Sequence, residues 1–132
     1  MTVRMYNRMV VLMLTVLAHD RIFGALGDAT RRDIVRRAIE GEEGVAELAE
    51  HYSMSFAAVQ KHIAVLDRAG LVKKHRIGRR KVVRTNLERL RVARRLLDQY
   101  EELWRARIDR MNELIAEMAS AIDTVETKES KR

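Results

Sequence analysis

The chain has 132 residues, with 26 Lys or Arg against 19 Asp or Glu and a formal charge of +7. That length fits one domain, and a hydrophobic content of 47% supports a core, which excludes a generally disordered chain. The absence of cysteine excludes a disulfide scaffold, a cysteine nucleophile and any thiolate metal or redox site, and the absence of proline excludes collagen-like and Pro-rich classes.

Residues 9–18 read MVVLMLTVLA, apolar except for Thr15. Ten helical residues rise about 15 Å, half of a bilayer core of about 30 Å. Arg4 and Arg8 precede the run as in a signal-peptide n-region, but no small-residue cleavage site follows, and the chain continues into His19, Asp20 and Arg21. The run therefore reads as the buried face of a first helix over residues 6–26. Leu12, Val16, Phe23 and Leu26 recur at helical spacing, His19 completes the stripe, and Gly27 is the stop. Asp28 and Thr30 offer N-caps, with Asp33 three residues beyond Thr30 as a loose capping box. A second helix over residues 30–40 is expected to bury Ile34, Val35, Ala38 and Ile39, and Gly41 and Gly44 bracket a turn.

Residues 45–52 are short and amphipathic, with Val45, Leu48 and Ala49 facing inward. Ser53-Met54-Ser55 breaks the pattern, and Ser55 is an N-cap for a further helix over residues 56–69. Val59, Ile63 and Leu66 fall at i, i+4 and i+7 of that helix, and Gly70 ends it. Two short helices joined by a tight turn form a helix-turn-helix. Residues 71–77 and 81–85 are β-branched and partly alternating around Gly78-Arg79-Arg80, which reads as a hairpin, here a wing. Residues 87–124 form one long helix with Leu90, Leu97, Trp104, Met111, Met118 and Val125 at sevenfold spacing. Ile108, Ile115 and Ile122 lie four residues after three of these, and Tyr100 and Leu114 widen the stripe. A helix of about 37 residues is roughly 55 Å long, more than a domain of this size covers, so its stripe is expected to meet another copy or a partner. Residues 126–132 read as a polar, frayed tail.

The charge is concentrated. Residues 55–90 hold ten basic and two acidic side chains, a net +8, while the remainder of the chain carries −1. A solvated face spreads its charges more evenly, so the basic stretch marks a nucleic-acid surface. No Gly-rich phosphate loop, nucleophile elbow or His-Glu-x-x-His pair is present, and no catalysis is expected. His19, His51 and His75 stand apart from any carboxylate cluster at ligand spacing.

Three stretches carry a family resemblance. They are FGALGDATRRDIV from Phe23, VAELA from Val45 followed by MSFAAVQKHIAVL from Met54, and AGLV from Ala69 with the Gly78-Arg79-Arg80 turn. Residues 20–85 thus resemble the ArsR/SmtB-like (arsenic-repressor-type) transcriptional regulators. The resemblance implies a mainly α fold with a small β-hairpin wing, a winged helix-turn-helix with long N- and C-terminal dimerisation helices. It divides the chain into a dimerisation helix over 1–26, a DNA-binding core over 27–86, a heptad dimerisation helix over 87–125 and the tail. It implies a homodimer on an inverted-repeat DNA operator, usually a repressor, and a cytoplasmic one with no membrane attachment. Ala29 and Ala57 stand where the family often has proline, and Gln60 where it often has serine. The family's metal sensors use Cys pairs, or Asp, His and Glu sets on the last helix. With no Cys and no His after His75, this chain resembles the subgroup without metal-sensing sites, and no cofactor is expected.

On the helix after the turn, Ser55, Phe56, Ala57, Gln60 and Lys61 are placed to reach base edges. Gln60 suits adenine, or is a solvated helix residue. Phe56 and Ala57 suit a thymine methyl, or Phe56 is a packing aromatic. His62 touches a phosphate or packs under the turn. Arg79 and Arg80 sit at the wing tip, and about half of Lys73, Lys74, Arg76, Lys81 and Arg84 can face DNA. Arg31 and Arg32 either reach the DNA backbone or pair locally with Asp28 or Asp33. The dimer interface falls to Leu12, Val16, Phe23, Leu97, Tyr100, Trp104, Ile108, Met111, Ile115 and Met118. A small-molecule inducer is left open. The rival readings are a sequence-neutral architectural DNA-binding protein and a winged-helix protein-interaction module.

Overall fold

The computed structural model describes residues 2–130; Met1, Lys131 and Arg132 lie outside the described residues. Among those residues the order is α1 (Val3–Leu26), α2 (Ala29–Glu40), α3 (Val45–Glu50), α4 (Phe56–Arg68), β1 (Val72–Ile77), β2 (Arg80–Thr85) and α5 (Leu87–Ser130). The chain is mainly helical with a two-stranded antiparallel hairpin, as expected. Residues up to Arg94 form one compact unit, and the helix from Arg95 onward forms a second.

The first unit is built around α4. The Ser55 side chain accepts a hydrogen bond from the Ala58 N–H at 3.1 Å, satisfying one of the free donors at the helix start. The same helix ends in a two-bond clasp: Gly70 N–H donates to Asp67 O and Leu71 N–H to Leu66 O. Gly70 adopts φ +75, which side chains disfavour, and a Cβ there would lie 2.7 Å from Arg89 Nε. Leu66 and Leu71, brought together by the clasp, are fully buried. They join Ile22 and Ala25 of α1, Ile34 and Val35 of α2, Leu48 of α3, Val59 and Ile63 of α4, Val72 and Val83 of the hairpin, and Ala93 of α5 in one core.

Several local expectations shift. The cap of α2 is Asp28, whose carboxylate accepts from the Arg31 N–H at 3.1 Å, so the helix starts at Ala29 and Asp33 takes no part in a capping box. Ile39, expected inward, is 62% exposed. It sits on the last turn of α2, just where extended backbone at Gly41 carries the chain away. The apolar run of α1 was expected to be a buried face, yet Leu12 is 65% and Val16 55% exposed in the single chain. The core is filled by the helix-turn-helix and hairpin, and in α1 it fully buries only Ile22 and Ala25. By length and composition α1 is apolar enough to cross a membrane, but its C-terminal turns are part of this core.

The Asn86 side chain accepts from the Glu88 N–H at 3.1 Å at the start of α5. That helix runs to Ser130, past the expected end near residue 124 and through most of the segment expected to fray. No Gly or Pro follows Gly78 to stop it. The hydroxyls of Thr124 and Thr127 donate back to the carbonyls of Ser120 and Asp123.

Candidate nucleic-acid interface

Helical periodicity splits α4 into two faces. Val59, Ile63 and Leu66 point into the core, and Phe56, Ala57, Gln60 and Lys61 are exposed on the other side together with the cap Ser55. Phe56 is 49% exposed, so it is not a core aromatic. The sequence-derived reading face is therefore physically available along the first half of the helix. His62 lies at its margin, half-buried, with Nδ1 3.3 Å from Arg31 Nη1.

Arg31 and Arg32 do not pair their side chains with Asp28 or Asp33. Arg31 donates from Nε to Ala25 O at 2.7 Å and from Nη2 to Gly24 O at 3.1 Å, and Arg32 donates to Leu26 O at 2.7 Å. Both guanidiniums thus cover carbonyls of the last turn of α1, where the helix dipole favours a cation. The hydrogen bond from the Arg31 N–H, first, holds the Asp28 carboxyl below its usual range.

Asp33 instead ties α2 to the turn of the helix-turn-helix. It accepts from the Tyr52 hydroxyl at 2.7 Å, from Arg36 at 2.6 Å and from Arg37 at 2.9 Å. The Tyr52 bond and then the two arginines hold its carboxyl well below the ordinary carboxylate range. Burial, and then that same bond, push the Tyr52 phenol up to about 12. Arg37 also lies over the Tyr52 ring, 5.9 Å from its centroid. No local pattern connects Asp33 to Tyr52, so sequence reasoning missed this link.

The hairpin sorts its basic residues by register. Pairing of Val72 with Thr85, Lys74 with Val83 and Arg76 with Lys81 puts those six on one face. Lys73, His75 and Ile77 pair with Arg84, Val82 and Arg80 on the other. Gly78, at φ +63, takes the first central position of a two-residue turn, a type II′ arrangement. Arg80 is therefore the first residue of β2 and not part of the tip, a correction to its expected position. It forms an ion pair with Glu47 at 2.6 Å and donates to Glu42 O, and Arg84 pairs with Glu42 at 2.8 Å. These contacts follow from the loop after α2, which bridges to β2 through Gly44 and Val82 and through Val83 N–H to Glu43 O. Lys61, Lys74, Arg76, Arg79 and Lys81 are exposed and form no ion pair among the described residues.

Of the residues expected at a dimer interface, Phe23 is half-buried against its own core. Leu12, Val16, Leu97, Tyr100, Trp104, Ile108, Met111, Ile115 and Met118 are exposed in the single chain. His51 passes over Glu47, four residues before it, and pairs with Glu43 at 2.9 Å. Among the described residues no three His, Asp or Glu side chains gather as a metal site.

The family described as bacterial regulatory protein, arsR family, matches residues 28–74. The HTH-type transcriptional regulator Rv2034 of Mycobacterium tuberculosis is 39% identical over 88 residues, 67% of this chain and 82% of that protein. The transcriptional repressor SdpR of Bacillus subtilis is 30% identical over 59 residues, 45% of this chain and 66% of that one. Among solved structures, an ArsR-like transcriptional regulator from Rhodococcus superposes with a TM-score of 0.67 at 26% identity, covering 76% of this chain and 94% of that chain.

Proposed function

The chain belongs to the arsR family of bacterial regulatory proteins and is a DNA-binding transcriptional regulator, and we propose on that footing that it is a dimeric repressor of an inverted-repeat operator that does not respond to metal. The observation that carries this reading is the capped, solvent-facing start of α4, with Gln60 and Lys61 beside Phe56 and Ala57, in a chain whose Lys74, Arg76 and Lys81 share one hairpin face. A helix start of this kind fits the major groove, where Gln60 can bond adenine in a bidentate way, and the unpaired cations neutralise phosphates.

Dimerisation rests on the apolar surfaces left open on α1 and, separately, along residues 95–130 of α5. Independence from metal rests on donor chemistry: the sequence has no Cys and no His after His75. Mobility shifts against the protein's own upstream region, with random duplex as competitor, test the whole. Gln60→Ala is expected to cost about 1–3 kcal/mol at one base position and relax preference there. Equal affinity of the wild type for the upstream fragment and for random DNA would point to a sequence-neutral binder instead.

A further inference from the structure

His62 is backed by a cation that cannot follow it. The Arg31 guanidinium is held by two backbone carbonyls, Ala25 O at 2.7 Å and Gly24 O at 3.1 Å, and its third group faces His62 Nδ1 at 3.3 Å. A guanidinium only donates, so this contact needs the lone pair on Nδ1 and leaves the ring proton on Nε2. Asp28, which also interacts with His62, accepts a hydrogen bond from the Arg31 N–H. His62 itself is half-buried, while Gln60 and Lys61 beside it are exposed. A cation bonded at Nδ1 draws electron density from the ring and makes Nε2–H a stronger donor.

We propose that Arg31 is a positioning residue for DNA binding: it sets the tautomer and orientation of His62, whose Nε2–H donates to a phosphate oxygen at the rim of the groove that α4 occupies. The proposal rests on the assignment of α4 as the reading helix. The contact orients the protein on the duplex and reads no base. Because the donor is a neutral imidazole, it displaces no counterion, and its loss leaves the salt dependence of binding unchanged.

The test combines a spectroscopic and a binding arm on the full chain. Long-range proton–nitrogen correlation spectra of the imidazoles in the DNA-free protein are expected to show His62 as the Nε2–H tautomer, and Arg31→Lys to convert it to a mixture. His62→Ala is expected to weaken binding to the upstream fragment and to random duplex alike by about tenfold, with an unchanged slope of log affinity against log salt. His62→Gln, which can accept from Arg31 and donate to phosphate, is expected to recover most of the loss. An Nδ1–H tautomer in the wild type, unaltered binding by His62→Ala, or a slope reduced by about 1 per site would each overturn the proposal. A wild type without preference for its upstream fragment refutes sequence-specific repression only, because the His62→Ala loss is still read on both duplexes.

Discussion

Tyr52 and Asp33 are 19 residues apart, yet one 2.7 Å hydrogen bond between them joins α2 to the turn before α4. Tyr52→Phe removes that bond and leaves the ring, so it is expected to cost about 1.5 kcal/mol of stability at neutral pH. Asp33 is depressed in the folded state, so its contribution is present above the unfolded carboxylate value near 4 and is lost as pH falls through the folded value. Arg36 and Arg37 still hold Asp33 low in the variant, so the gap between wild type and Tyr52→Phe in urea unfolding is expected to hold from pH 7 to pH 4 and to narrow only at lower pH, as Asp33 is protonated in the fold. Tyr52 is raised to about 12, so on the alkaline side its contribution holds below its ordinary value of 10.0 and is lost as pH rises through about 12. A gap that closes already between pH 7 and pH 4 would locate the effect elsewhere than the hydroxyl–carboxylate bond. The wing offers a second residue-scale test, since Lys81 and Arg80 are neighbours on opposite hairpin faces. Lys81→Ala is expected to lower the steepness of the salt dependence by about 2 per dimer. Arg80→Ala should change it clearly less, because that guanidinium lies with Glu47 and Glu42 O.

At the scale of elements, α4 is defined by what stops it at each end. Ser55→Ala leaves the Ala58 N–H without its partner and is expected to cost about 1 kcal/mol in thermal unfolding. Gly70→Ala is expected to cost more, because the left-handed conformation alone disfavours a side chain by about 1–2 kcal/mol and the added Cβ meets Arg89 at 2.7 Å. The reverse order would mean that Arg89 swings aside and the clasp relaxes. Both ends were legible in the sequence, since a Ser before an apolar run and a Gly after it act through bonds three to five residues away. The end of α5 was less so. Its polar last residues suggested fraying, but composition alone does not end a helix that meets neither Gly nor Pro.

For the whole molecule, the charge of +7 is best counted by what is available to DNA. With four or five of Lys61, Lys74, Arg76, Arg79 and Lys81 meeting phosphates in each protomer, the proposed dimer is expected to show a salt slope of about −7 to −9. The long apolar stripe of residues 95–130 has the same standing for assembly. Met111, 49% exposed in the single chain, lies on its sevenfold series. Met111→Asp is expected to yield monomer in sedimentation experiments and to weaken operator binding together, because it buries a charge without a partner. A monomeric variant that binds at wild-type affinity would remove the stripe from the mechanism.

The sequence by itself determined the elements, the caps of α4, the turn glycines and the outward face carrying Gln60 and Lys61. All of these depend on spacings of two to five residues, within which backbone geometry leaves little freedom. Only the tertiary structure decided which wing cations stay unpaired, that Arg31 and Arg32 close the end of α1, and that Asp33 holds Tyr52. It also decided that Arg80 and Arg84 turn to Glu47 and Glu42, 33 and 42 residues away in sequence. A sequence lists the charges available for pairing. Strand register and helix packing set the distances between them, and at 3 Å those distances settle which cation is paired within the fold and which one stays exposed without a partner.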